Sequence, residues 1–213
     1  MTIDRMRARI PRTRGAHLAV ANMRILLGFA FLPAGLQKLL GERFTDPANT
    51  GAFHEFLHAF YATGWFYQFV GVVQLVAAVL LLTQRFAAAG ALIAFPLTTA
   101  ITAFCWSTLV IPTATVVTLM WLATAALIVW DGSLWPAASR AAAHPSPPPI
   151  DPSLWERCGV VILILYAAAT IAGGEVYRPE GVELDRPAFY LLPAIALCPI
   201  VTLALDRRRR RAA

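Results

Sequence analysis

The chain has 213 residues, 58% hydrophobic and only 14% charged, with a net charge of +6. A mean hydropathy of +0.62 excludes an ordinary soluble domain, in which about 25% of residues are charged. The basic residues gather in two runs beside apolar segments, Arg5–Arg14 and Arg207–Arg211, which argues against a nucleic-acid partner. It fits a membrane protein whose arginines follow the positive-inside rule and meet anionic lipid headgroups.

The spacing predicts six spans of roughly the 20 residues a bilayer core needs: 18–40, 64–83, 86–109, 114–129, 155–172 and 188–205. The first span is the most informative. Arg24, Gly28, Phe31, Gly35 and Lys38 recur at intervals of four, three, four and three, so one narrow arc carries two cations and two small residues. Pro33 predicts a bend in it. No small-residue cleavage site ends this segment, so it is expected to be retained. About 21 Å separates Arg24 from Lys38 at 1.5 Å per residue, less than the bilayer core. One of the two must therefore snorkel or find a polar partner inside the bundle. The second span repeats the spacing with Tyr67, Gly71, Gln74 and Ala78. Two such seams are expected to pack together and to form a polar pocket of Arg24, Lys38, Tyr67 and Gln74.

Between these spans, His54-Glu55-Phe56-Leu57-His58 spells HExxH. On a helix it puts both imidazoles on one face with a glutamate as general base, and His54 and His58 are the candidate metal ligands. The stripe Phe53, Phe56, Leu57, Phe60 is accounted for more directly by a helix lying in the membrane interface. A zinc site would also need a third ligand, and Glu175, Glu180 and Glu183 sit in a loop expected on the same side.

Gln84–Arg85 and the region of Pro112 read as tight turns, making spans two to four a compact antiparallel set. Thr98, Thr102, Thr115, Thr118 and Thr124 are expected to bond within or between helices. The fourth span looks short, ended by Trp130 and Asp131. Residues 132–153, containing AAAHPSPPPIDP, read as a Pro-rich linker dividing a four-helix unit from a two-helix appendage. Pro193 and Pro199 predict kinks in the last span. Cys105, Cys158 and Cys198 form no CxxC and read as small buried hydrophobes. An even number of spans with both Arg runs on one side places both termini in the cytoplasm, in the cell membrane. Trp65, Trp106, Trp130 and Trp155 fall at span ends as an interfacial belt.

RILLGFAFLPAGLQKLLG followed by GWFYQFVGVVQLVAAVLLLTQRFAAAGALIAFPLTTAI resembles the DoxX family of small membrane proteins, over roughly 23–131. The resemblance implies a four-helix membrane bundle and, from some relatives, quinone-linked sulfur oxidation or membership of a membrane redox complex. Relatives often carry an acidic residue near Gln74; the amide here argues against an inherited proton-transfer role.

The expected organisation is a basic N-terminus (1–17), a DoxX-like four-helix domain (18–131), the linker (132–153), a two-helix segment (154–206) and an Arg-rich tail (207–213). The whole is all-α and integral to the membrane. The leading functional expectation is an accessory or quinone-facing subunit of a membrane redox system, with an oxidoreductase partner. A small-molecule carrier or a structural scaffold are the alternatives, and a zinc metallopeptidase through His54–His58 is the remote one.

Overall fold

The structure, a computed structural model, describes residues 13–131, 150–174, 176 and 190–212. Among these it contains seven α-helices: α1 Arg14–Leu39, α2 Ala52–Ala62, α3 Trp65–Leu82, α4 Ala87–Ser107, α5 Ile111–Asp131, α6 Pro152–Gly173 and α7 Leu191–Ala212. The Pro-rich stretch 132–149, the acidic residues Glu175, Glu180, Glu183 and Asp185, and the arginines before Thr13 lie outside the described residues.

Five helices, α1, α3, α4, α5 and α6, are long and apolar enough to cross a membrane. Their outward surfaces are greasy: Leu26, Leu119, Ile164 and Ile171 are all exposed by more than half. That is the pattern of a bundle whose solvent is lipid. Helix α7 has an apolar part, Leu191–Leu205, that runs straight into Asp206 and five arginines. The expectation that the fourth span is short is wrong. Helix α5 starts before Pro112 and runs 21 residues, because proline is tolerated in a first turn whose N–H groups have no intrahelical partner.

Local chemistry sets the helix ends. Thr13 caps α1 by accepting from the Ala16 N–H at 3.3 Å. Asp151 caps α6 by accepting from the Ser153 N–H, with Pro152 in the first turn, and Gly174 ends α6 in the left-handed region. Pro33, Pro96 and Pro199 all lie inside helices that continue past them.

Helices α1 and α3 form the closest pair. A methyl group at Gly28 would meet the Leu82 Cγ at 2.7 Å. One at Gly71 would meet the Gly35 carbonyl and the Leu39 N–H at 2.7 Å each. Only glycine allows the two backbones this approach, which is how small-residue seams pack in membranes. Helices α4 and α5 are joined by polar contacts instead. Thr102 donates to the Val117 carbonyl, and the Trp106 and Trp121 indoles donate to Thr118 and Thr99 at 2.9 Å.

Helix α6 is not a separate appendage. Trp155, Cys158, Ile162 and Tyr166 belong to the same buried cluster as Ile25, Phe31, Leu81 and Leu82. A Cβ on Gly159 would fall inside the Leu82 carbonyl. Helix α7 joins through Leu191 and Ile195.

Chain direction puts two groups of ends together. One group, the Arg24 end, gathers the start of α1, the α3–α4 turn, the end of α5, the start of α6 and the end of α7. There Arg14 bonds the fully buried Asp206 at 2.8 Å, and Asp206 also accepts from the Asp151 N–H at 2.9 Å. The other group, the Lys38 end, carries α2.

Candidate functional site

The expected single pocket of Arg24, Lys38, Tyr67 and Gln74 is two sites. Arg24 sits near one end of the bundle, while Lys38 and Tyr67 meet near the other, with Gln74 one helical turn further down the same seam. The correction follows from helix geometry: side chains fourteen residues apart on one face share a stripe but stand about 21 Å apart.

At the Lys38 end, Lys38 does not snorkel outward. It is 7% exposed, because the loop after α1 folds back over it. Its ammonium donates to the Ala34 carbonyl at 3.0 Å and lies 4.4 Å from the Phe44 ring centroid and 5.9 Å from that of Tyr67. The loop is held by its own polar contacts. Tyr67 Oη donates to the Glu42 carbonyl at 2.8 Å, Gln37 donates to the Arg43 carbonyl, and the Arg43 guanidinium stacks over Tyr61. No carboxylate among the described residues pairs with Lys38. One turn along α3 from Gly71, which abuts Lys38, lies Gln74, 2% exposed, whose side-chain oxygen has no hydrogen-bond partner among the described residues. A buried unsatisfied acceptor costs about 1–3 kcal/mol, so Gln74 and Lys38 are the polar groups held at greatest expense here.

Helix α2 lies beside this site as an interfacial piece. Phe53 and Phe56 pack on Phe104 of α4, and Phe60 and Tyr61 pack on Tyr67. Its imidazoles are engaged locally: the His54 Nδ1 lies 2.6 Å from Thr45 Oγ1, and the His58 Nε2 lies 3.2 Å from the Asn49 carbonyl. Among the described residues no three His, Cys, Asp or Glu side chains converge as a metal site. The glutamates considered as a third ligand lie outside the described residues.

At the Arg24 end, Arg24 donates to Asp131 at 2.5 Å and to the Gln84 side-chain oxygen at 3.2 Å. Gln84 in turn donates to the Ala21 carbonyl at 3.2 Å. Its backbone is left-handed, with φ 60°, a conformation that costs a non-glycine residue of order 1 kcal/mol. The side-chain bonds to α1 offset that strain. A cleft of about 210 Å³ opens beside this network, lined by His17, Arg24, Gln84, Trp130, Ile150 and Trp155 among others.

Gln84, Asp131 and Trp155 were not among the residues singled out as site candidates. A signal for two of them existed. Positive-inside parity puts Arg24, the Gln84–Arg85 turn and the end of the fourth span on one side, so Asp131 is the acid nearest Arg24 in depth.

The chain matches no curated protein and no solved structure. The match to a family falls on α1 to α4 and leaves α5, α6 and α7 outside it, stopping at the C-cap of α4 rather than at 131. Residues 19–108, which hold both glycine seams and the Lys38 site, match the DoxX family model.

Proposed function

We propose that this multi-pass membrane protein is an accessory, quinone-facing subunit of a membrane redox system, with Lys38, Tyr67 and Gln74 as the headgroup site. The observation that carries the reading is Lys38: a buried cation held among aromatic rings, without a carboxylate among the described residues. An ammonium suits an acceptor oxygen on a flat ring, because only part of its donor capacity goes to the Ala34 carbonyl. The unsatisfied oxygen of Gln74 suits a hydroxyl donor on the reduced form of such a ring. A quinone would supply the electron-carrying chemistry; the protein's residues bind, orient and exclude water. The redox part of the reading rests on the DoxX domain.

Six spans with both termini cytoplasmic in the cell membrane complete the proposal. It is supported by the sharing of one end by Arg14, Arg85 and Arg207–Arg211, which together follow the positive-inside rule. Anionic headgroups would meet the exposed arginines there.

The test uses the whole protein in nanodiscs, titrated with a short-chain quinone, beside Lys38→Met. Saturable binding that is lost in Lys38→Met, with helix content and monodispersity kept, supports the site. Equal binding by the variant removes it. A mild-detergent pull-down from native membranes tests the partner: an oxidoreductase recovered in near-equal amount supports the subunit role, and recovery of the protein alone removes it.

A further inference from the structure

Lys38 is closed off in this structure. Phe44 lies over its ammonium at 4.4 Å, and the residue is 7% exposed. A headgroup reaches it only when Phe44 leaves, so what Phe44 is attached to decides how the site opens. Phe44 begins a segment, 44–63, whose side chains bond within it. Thr45 Oγ1 lies 2.6 Å from the His54 Nδ1 and accepts from the Asn49 amide at 3.2 Å, and the Asn49 carbonyl lies 3.2 Å from the His58 Nε2. Both imidazoles of the HExxH run therefore fasten the loop half of the segment, 44–51, to its helical half, α2.

Among the described residues no side-chain hydrogen bond or ion pair crosses from 44–63 to the bundle. The segment meets the bundle through rings instead: Phe53 and Phe56 against Phe104, Phe60 and Tyr61 against Tyr67, with no residue of α2 buried. Directional bonds stop at its edges. Before it, the Glu42 and Arg43 carbonyls are held by Tyr67 and Gln37. After it, Gly64 has φ +58° and nothing within 4 Å of where a Cβ would stand, so the chain can turn there without a clash. Hydrogen bonds are exacting in direction, whereas apolar contact is not. The exposed Trp65 and Trp106 place the segment at interface depth, where rings that leave Phe104 and Tyr67 would meet lipid instead. The segment therefore parts from the bundle more readily than its loop parts from its helix.

We infer that residues 44–63 are a lid over the Lys38 site, which seats Phe44 on the ammonium when closed, turns at Gly64 to open, and moves as one body because His54 and His58 latch its loop to its helix. The face of a ring attracts an ammonium, so in the closed lid Phe44 holds the place that the ring of a bound headgroup would take. What enters is the headgroup of the proposed function, on which this regulation rests; the motion itself does not depend on it.

Lys38 is the only lysine in the chain, so its acetylation by an amine-reactive ester reports on the lid directly, with the N-terminal amine as internal reference. The whole protein in nanodiscs is acetylated at one fixed alkaline pH, and the Lys38 peptide is followed by mass spectrometry. Phe44→Ala should speed Lys38 at least tenfold; an unchanged rate overturns Phe44 as the cover. In a chain whose native cysteines are replaced by alanine, Phe56→Cys and Phe104→Cys are either bridged by a short bis-maleimide or capped singly with N-ethylmaleimide. Bridging should slow Lys38 at least tenfold against the capped protein. Adding His54→Ala and His58→Ala should return the bridged protein to the capped rate, because the loop then lifts without its helix. Equal rates in bridged and capped protein overturn the lid, and a bridged rate that stays slow without the imidazoles overturns the latch. Should the cysteine chain not fold, Phe56→Ala in the native chain loosens α2 from Phe104 and should speed Lys38 at least tenfold, an unchanged rate overturning the lid. A short-chain quinone titrated into Phe44→Ala tells the two readings apart. A midpoint at least tenfold lower than the parent's supports both, and no binding beside the expected rates removes the headgroup site but keeps the lid. Binding beside indifferent rates removes the lid alone.

Discussion

Arg24 and Lys38 lie on one face of one helix, yet the bundle accommodates them in opposite ways. Arg24 is given a carboxylate from α5, more than a hundred residues later, and an amide from the α3–α4 turn. Lys38 is given no acid among the described residues, only a backbone carbonyl and two aromatic rings. Arginine presents a planar fork of five donors that suits several fixed acceptors, while lysine is a compact charge on a flexible stem. The difference teaches where each cation is structural. A neutralised pair ties helices together, whereas a buried ammonium with no carboxylate among the described residues costs stability.

The largest effect that would break this contrast is at Gly159. Its missing Cβ leaves room for the Leu82 carbonyl, and that contact docks α6 at the Arg24 end. Gly159→Ala must lift α6 away, because a backbone carbonyl cannot move aside as a flexible side chain can. The expected loss is at or above the roughly 3 kcal/mol that marks severe overpacking, read as denaturant-induced unfolding in detergent. The Trp155 environment should change while the Lys38 end stays intact. A variant as stable as the parent would show that α6 is not docked there.

Next is Asp131→Asn, which strands the Arg24 charge. Removing one member of a fully buried pair costs about 3–5 kcal/mol; this pair keeps some solvent access, so about 2 kcal/mol is expected. Lys38→Met should do the reverse. With no carboxylate among the described residues to strand, a similar-sized apolar side chain should leave stability within about 1 kcal/mol of the parent, or raise it. Thermal unfolding of the two variants side by side checks the contrast. Equal losses in both would mean that Lys38 is as structural as Arg24.

The helices and the paired seams were legible because both depend on local periodicity: Gly28, Gly35 and Gly71 recur at the interval that a close helix crossing needs. The likeness of residues 19–108 to the DoxX family was legible for the same reason, since its pattern falls within α1 to α4. What periodicity cannot give is depth and return of the chain. Which of Arg24 and Lys38 would snorkel stayed open because nothing in residues 41–63 announces that Phe44 will fold over Lys38. Proline at 112 suggested a later start to α5, though a first turn accepts it. The packing of α6 against α1 and α3 was hidden by the proline-rich stretch before it, which reads as a boundary. Trp155 reads as an interfacial aromatic by position, and only its place in the buried cluster makes its N–H a buried donor.

The smallest effect concerns how the Arg24 end is tied off. Asp151 caps α6, accepting from the Ser153 hydroxyl at 2.7 Å and from the Ser153 N–H at 3.0 Å, and it meets Arg209 of α7 at 2.9 Å. The hydroxyl bond foremost, with the backbone N–H and Arg209 after it, lowers the Asp151 pKa below its ordinary value against the opposing effect of burial. A carboxyl whose pKa falls on folding adds stability at any pH above its unfolded value of about 3.9. That contribution fades as pH drops from there through the lower folded value. Asp151→Asn should therefore cost under about 1 kcal/mol at neutral pH, within the range for a helix cap and an exposed ion pair. The gap between variant and parent should close as the pH falls below about 4. Melting temperatures of both proteins across an acid series check it. A gap that persists at the acid end would mean that the cap works through shape alone and that the charge of Asp151 does not help to hold α6 and α7 at the Arg24 end.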